Sequence, residues 1–178
     1  MPPIKTCVLG VGLAGLTYHI PFILALPDLF TLHAVLERNP QSPGGKVKER
    51  FGAETKIYRT IEEVVGDKEI ELVIVGTPND THYTLAKVAL EAGKHGINIP
   101  SYIFPKPSDT AAVLVDKPVT ETVAQAKGLD AIAKSKGLVL YGYQNRRWDS
   151  EYIALKKLLA LPPSSPNYLG NLLEFESQ

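Results

Sequence analysis

Glycines that leave the backbone bare, a carboxylate that can accept from a hydroxyl, and a lysine at the end of an apolar run are the residues here with chemistry to offer. Gly10-Val11-Gly12-Leu13-Ala14-Gly15 follows the apolar run Cys7-Val8-Leu9 and opens a segment that reads as helix. In such a turn the first glycine permits a tight bend, the second lets a pyrophosphate approach the backbone, and the third lets helix pack on strand. The helix start then offers N–H groups and a partial positive charge to phosphates. The whole turn, with Leu13 and Ala14 between its glycines, is assigned to cofactor binding. Glycine turns also occur as plain structural bends. What favours a dinucleotide is Glu37, which closes a second apolar run, Leu32–Leu36, where a ribose-binding carboxylate belongs.

Size and charge set the bounds. The chain has 178 residues, enough for one domain and the start of another. Chains of this size hide about 70% of their unfolded surface, so a real core is possible. Its 19 basic and 19 acidic residues give no electrostatic reason for nucleic acid or an anionic membrane as partner. The single cysteine, Cys7, sits in the first strand pattern and reads as core packing. The opening Met1-Pro2-Pro3-Ile4-Lys5 lacks signal-peptide form, and no apolar run is long enough to cross a bilayer. A cytoplasmic protein is the expectation.

These residues need elements to hold them. Strands are expected at Ile4–Leu9, Thr31–Glu37, near Ile57–Tyr58, at Leu72–Gly76 (continuously apolar, as in a strand buried on both faces), at Val113–Val115 and at Leu138–Tyr143. Leu13, Leu16, Ile20 and Leu24 are helix-spaced, with Pro21 expected to break or kink the helix. Thr81–Ala92 reads as helix, with Leu85, Val88, Ala89 and Ala92 on one side and Gly93 as the C-terminal signal. Thr122–Lys136 is opened by a Thr122-x-x-Gln125 capping box and closed by Gly137, and a further helix is expected near Ser150–Ala160. Such alternation predicts an α/β fold: a doubly wound parallel sheet with helices on both faces. Ligands then bind at the carboxyl ends of the strands. Those ends carry Glu37-Arg38, then Thr77-Pro78-Asn79-Asp80-Thr81-His82, then Asp116-Lys117-Pro118, then Gln144-Asn145-Arg146-Arg147-Trp148-Asp149. His19, His33 and His95 show no metal-ligand spacing.

With these segments in view, the chain resembles the N-terminal half of the Gfo/Idh/MocA oxidoreductases, the family of glucose–fructose oxidoreductase and inositol dehydrogenase. The matching runs are GVGLAG, VIVGTPNDTHYTLAKVALEAGKH, LVDKPVTET and YQNRRWDSEY. The last is most similar to a bacterial branch containing NADP-linked scyllo-inositol dehydrogenases. The resemblance implies a Rossmann domain over 1–160, binding NAD or NADP for hydride transfer to or from a sugar, inositol or similar carbinol. It implies that Gly10, Gly12 and Gly15 hold the pyrophosphate, and that Glu37 and Arg38 select at the adenosine ribose. It places Thr77, Pro78, Asn79 and His82 beside the nicotinamide ribose, although Asn79–Thr81 also reads as a plain helix cap and His82 as a first-turn residue. Glu37 favours a free 2′-hydroxyl while Arg38 can pair a 2′-phosphate, so the choice of coenzyme stays open. Lys117 matches the family's Lys-Pro motif and is the expected catalytic residue, Pro118 fixes its backbone in a bond that can be cis, and both are also assigned to cofactor binding. Asn145 and Arg146 are assigned to cofactor binding, while Arg146 and Arg147 can contact cofactor or substrate or merely pair with Asp149 and Glu151.

Two departures from the family stand out. Residues 96–112 interrupt a matching motif and read as an irregular insertion at the amino edge of the sheet, either an in-frame unspliced intron or an isoform-specific loop. Residues 161–178 read as a linker and the first strand, Leu172–Ser177, of a missing α+β substrate domain. The family's downstream Asp-x-x-x-His acid/base is then expected to be absent, leaving a cofactor-binding portion with little turnover and homo-oligomers only in a full-length form. A non-catalytic dinucleotide-binding regulator and a truncated non-functional fragment are the alternatives.

Overall fold

The structure is a computed structural model that describes residues 2–93 and 112–171. Six parallel strands form one sheet in the order β3-β2-β1-β4-β5-β6. They are β1 (Ile4–Leu9), β2 (Phe30–Leu36), β3 (Lys56–Tyr58), β4 (Leu72–Val75), β5 (Ala112–Val115) and β6 (Val139–Gly142). The helices are α1 (Ile20–Ala25), α2 (Gly45–Phe51), α3 (Ile61–Gly66), α4 (His82–Glu91), α5 (Val123–Ser135) and α6 (Ser150–Leu159). This is the doubly wound arrangement that the β–α alternation predicts.

Alternation along the strands explains the two layers. In β1, Cys7 and Leu9 point to one face and Val8 to the other. Cys7 and Leu9 pack with Val73 and Val75 of β4 against Val64 of α3, Leu85 and Ala89 of α4, and Leu129 of α5. Val8 packs with Val35 and Ile74 against Ile20 and Ile23 of α1 and Val47 of α2. Burying one such side chain contributes roughly 1.5–3 kcal/mol, so a central strand buried on both faces anchors both helix layers.

Strand order reverses between β1 and β4. The chain leaves β1 toward β2 and β3, then crosses back to start β4 on the other side. A crevice opens outside the carboxyl ends of strands at such a reversal. Gly10, after β1, and Thr77, after β4, stand on its two sides.

Local chemistry accounts for most element ends. Thr60 and Thr122 each accept a hydrogen bond from the backbone N–H three residues on, and Glu63 and Gln125 reach back in two complete capping boxes. Gly93 and Gly137 follow α4 and α5 with positive φ. Pro21 breaks the helical pattern in an unforeseen way. Gly15–His19 forms a π-type turn, and Pro21 then sits in the first turn of α1, where its missing N–H costs nothing.

Several sequence expectations shift. Leu13 and Leu24 lie on the surface, and Ile23 takes the buried place beside Ile20. On α4 the buried residues are His82, Leu85, Ala86, Ala89 and Leu90, and Ala92, just past it, is exposed. Helices α2 and α3 have no counterpart in the sequence reading. Ala112 is the first residue of β5 rather than the last of an insertion. The rest of that insertion, His95 and the Leu172–Ser177 strand lie outside the described residues. The chain divides into two compact units, Met1–Tyr143 and Gln144–Gln178. The second holds α6 and the 3-10 turn Asn145–Trp148.

A charged cluster joins β2, β3 and the turn that follows α3. Asp67 Oδ2 accepts from the Tyr58 hydroxyl at 2.6 Å and lies 2.8 Å from His33 Nε2. His33, Asp67 and Glu69 have ligand atoms within 4.8 Å of one another, a grouping invisible in the sequence spacing. The Lys56 ammonium lies 3.2–3.4 Å from all three, so a cation already occupies their midst. Burial pushes Tyr58 up to about 12, with its bond to Asp67 adding to the rise. For Asp67, burial acts upward but is outweighed by the hydrogen bonds from Tyr58, the Glu69 N–H and His33, which hold the carboxyl well below its ordinary 3.8. A depressed folded value stabilises fully above the unfolded one, and the gain is lost as pH falls through the acid range. Asp67→Asn should therefore cost stability in urea melts at neutral pH, and the deficit should shrink steadily as pH falls below the ordinary carboxyl value, disappearing only in strong acid. An equal deficit at neutral pH and in strong acid would rule out this linkage.

Candidate functional site

A cleft of about 340 Å³ opens at the carboxyl ends of β1, β2 and β4. Gly10, Gly12, Glu37, Arg38, Asn39, Lys46 and the Thr77-Pro78 corner are among the residues lining it. The sequence-predicted glycine turn, ribose carboxylate and Thr77 loop therefore converge on one hollow.

The three glycines have separate geometric duties. Gly10 has φ +97°, and a Cβ there would lie 3.0 Å from Gly76 O and 3.1 Å from Thr77 Cγ2. The β1 and β4 loops can approach this closely only without a side chain. Among the described residues nothing lies within 4 Å of where a Cβ on Gly12 would sit, so its backbone is open. At Gly15 a Cβ would overlap Gly10 O and lie 3.6 Å from Val8 Cγ1, which seats the following turn on β1. No side chain caps that turn. Leu13 is exposed and Ala14 half-buried at its start.

Glu37 follows β2 directly and is only 4% exposed. Its Oε2 accepts the Lys46 N–H at 3.1 Å, and Oε1 is buried without a hydrogen-bond partner among the described residues. Burying an acceptor without a partner costs free energy, so this atom marks a place for an outside donor. Arg38, beside it, is exposed at the rim.

On the other side, Thr77, Pro78 and Asn79 lead into a 3-10 turn, Asn79–Thr81, ahead of α4. Asn79 is exposed, and the N-cap positions of that turn and of α4 fall on Pro78 and Thr81, neither with a side-chain cap bond. The Thr81 hydroxyl lies 2.7 Å from Thr77 Oγ1 and 2.6 Å from Pro78 O. His82 is 1% exposed. Its Nδ1 lies 2.7 Å from Pro118 O and its Nε2 2.8 Å from Thr77 O. Both neighbours are acceptors, so the ring ties the Thr77 loop to the Lys117-Pro118 corner.

Lys117 is exposed just past β5, and its bond to Pro118 is cis. Asp116, before it, lies 3.3 Å through Oδ2 from His19 Nε2. Burial lowers the basicity of His19, with the Asp116 carboxylate acting the other way. The ring also meets Tyr143 edge-on, 5.2 Å between centroids. Two buried imidazoles thus hold the residues flanking Lys117, one on each side.

Asn145 and Arg146 belong to the 3-10 turn of the second unit. There Arg146 pairs with Asp149 at 3.3 Å, the ion pair offered in the sequence reading. Sequence reasoning missed Asn39, Lys46, Gly45 and the His19–Asp116 contact. Asn39 follows the second strand end and was legible there, whereas Lys46 and Gly45 sit on a helix that carried no signal.

A reversed parallel sheet, a glycine turn at its switch point and a buried carboxylate on the next strand define a dinucleotide-binding Rossmann domain. Residues 4–98 match the GFO_IDH_MocA oxidoreductase family, described as an NAD-binding Rossmann fold, and the chain belongs to that family. It is 38% identical over 99% of its length to an uncharacterized oxidoreductase of Schizosaccharomyces pombe, covering 42% of that protein. It is 32% identical to the scyllo-inositol 2-dehydrogenase (NADP(+)) of Bacillus subtilis, over 88% of this chain and 37% of that one. The crystal structure of GenD2 from gentamicin A biosynthesis, in complex with NAD, superposes with a TM-score of 0.71 at 26% identity, over 90% of this chain and 40% of that one. The chain therefore spans about two fifths of the length of the relatives it matches. No helix among the described residues is long and apolar enough to cross a membrane.

Proposed function

We propose that this chain is the coenzyme-binding portion of a nicotinamide-dependent oxidoreductase acting on a carbinol of the polyol or sugar class. The observation that carries the reading is the partnerless Glu37 Oε1 beside the open Gly12 backbone in one cleft. The glycine turn would hold the pyrophosphate and Glu37 a ribose hydroxyl. Thr77 and Pro78 would border the nicotinamide end. When bound, the nicotinamide gives or takes the hydride.

Lys117 acts on the substrate oxygen. Its ammonium donates a hydrogen bond to the carbinol hydroxyl and stabilises the alkoxide charge that develops as hydride leaves. His82, through Pro118 O, and His19, through Asp116, position it. The substrate class rests on the name of the Bacillus subtilis relative and on this placement of a lysine.

Titrating the purified chain with NADH and NADPH, followed by coenzyme fluorescence, tests the reading. Saturable binding of at least one form is expected, with a dissociation constant on the order of 1 μM to 1 mM. Absence of binding by a chain shown to be folded by circular dichroism would overturn it.

A further inference from the structure

Glu37 is more tightly specified than a ribose contact alone requires. Its backbone N–H donates to Tyr58 O at 2.9 Å, which fixes the residue to the end of β3. Its Oε2 is held by the Lys46 N–H. Gly45, the residue before Lys46, is buried and has φ +61°. A Cβ at Gly45 would overlap Glu37 Oε2 and lie 2.9 Å from Ile57 Cδ1. A side chain at position 45 would therefore push the carboxylate from its place, and the backbone conformation also disfavours one. With one oxygen committed, Glu37 Oε1 is left as a buried acceptor beside Arg38 and Asn39.

Such an acceptor needs a donor. A ribose 2′-hydroxyl is one. A 2′-phosphate offers only acceptor oxygens and negative charge. Arg38 and Lys46 also line the cleft and would attract that phosphate, but both are exposed. Water and salt screen exposed cations, and ordering their long side chains costs entropy. The buried carboxylate is screened far less, so its repulsion outweighs their attraction.

We infer that this chain selects the coenzyme with a free 2′-hydroxyl, and that Gly45 is a specificity-determining position because its bare backbone leaves Glu37 in place. The inference rests on the coenzyme-binding reading above and deepens it. It also sets the chain apart from the Bacillus subtilis relative, whose name specifies NADP(+).

Calorimetric titration of the 178-residue chain with NADH and with NADPH is the test. NADH is expected to bind at least about tenfold tighter, the scale of one charge-assisted hydrogen bond. Glu37→Gln keeps the shape and removes the charge, and should bring the two affinities within roughly threefold of each other. Gly45→Ala should weaken NADH about tenfold and, by moving the carboxylate away, leave NADPH equal or tighter than before, with circular dichroism melts reporting whether it folds. If it does not fold, Glu37→Gln decides alone. Equal or tighter NADPH binding by the unaltered chain, or an unchanged ratio in Glu37→Gln, overturns the inference while leaving coenzyme binding intact. A folded Gly45→Ala with the original ratio removes Gly45 from it. Failure of a folded chain to bind either form overturns the coenzyme reading itself, and the inference with it.

Discussion

Gly15→Ala should melt several degrees below the unaltered chain and lose measurable coenzyme binding, whereas Gly12→Ala should melt normally and lose binding alone. The difference follows from what each added methyl meets. At Gly15 it overlaps Gly10 O, a backbone atom, and approaches Gly10 C at 3.1 Å. Gly10 cannot retreat. Its N–H donates to Leu36 O at 3.2 Å, and its far side already faces Gly76 O and Thr77. The π-type turn must then lift off β1, away from Val8. Overpacking of this kind costs about 1–3 kcal/mol, a fall in melting temperature on the order of 5 °C for a chain of this length. Lifting the turn also removes the N–H groups from the pyrophosphate position. At Gly12 nothing lies within 4 Å, so the fold has no reason to object. The new methyl instead occupies the open face of the cleft, where the phosphates would lie. Thermal melts and NADH titrations on both variants check this. A Gly15→Ala chain that melts with the unaltered one would show that the turn is not seated as described.

How much of this was legible in the sequence depended on whether a feature was local. The glycine turn is contiguous, and its spacing to Glu37 reflects one helix and one strand of standard length, so both were readable. The buried run Leu72–Val75 and the box Thr122-x-x-Gln125 were readable for the same reason. Helix α3 carries an equally local box, Thr60-x-x-Glu63, which could have revealed it, but six residues are too few to show a helical period. Helix α2 begins at Gly45 after another positive-φ glycine, where propensity argues against helix, and tertiary contacts hold it: Val47 packs in the core and the Lys46 N–H donates to Glu37. The remaining features are relations between distant residues. His82 meets Pro118, His19 meets Asp116 and Tyr58 meets Asp67 only because parallel strands bring their ends together. No spacing rule contains that information. The half-satisfied state of Glu37 is of the same kind: the sequence supplies a carboxylate, but whether its second oxygen lacks a partner depends on how α2 returns to β2.

On the proposed oxidoreductase reading, Lys117→Ala in a full-length version should lower kcat by roughly 10²–10⁴-fold, with coenzyme affinity and folding stability nearly unchanged. Lys117 is exposed past β5 and outside the residues lining the coenzyme cleft. Removing an exposed side chain there should move stability by no more than about 0.5 kcal/mol. Its neighbours hold the corner without it, because Asp116 is fixed at His19 and the Pro118 carbonyl at His82. The variant therefore deletes an ammonium and leaves its socket. Lys117→Arg separates charge from geometry. It keeps the positive charge but replaces a compact, freely rotating donor with a planar fork, so it should recover only part of the lost rate. Steady-state rates with a polyol series, alongside melts and NADH titrations of the same samples, provide the measurement. Turnover by Lys117→Ala equal to that of the unaltered protein would remove the lysine from the chemistry. A matching loss of coenzyme affinity would instead place it at the cofactor rather than at the substrate oxygen.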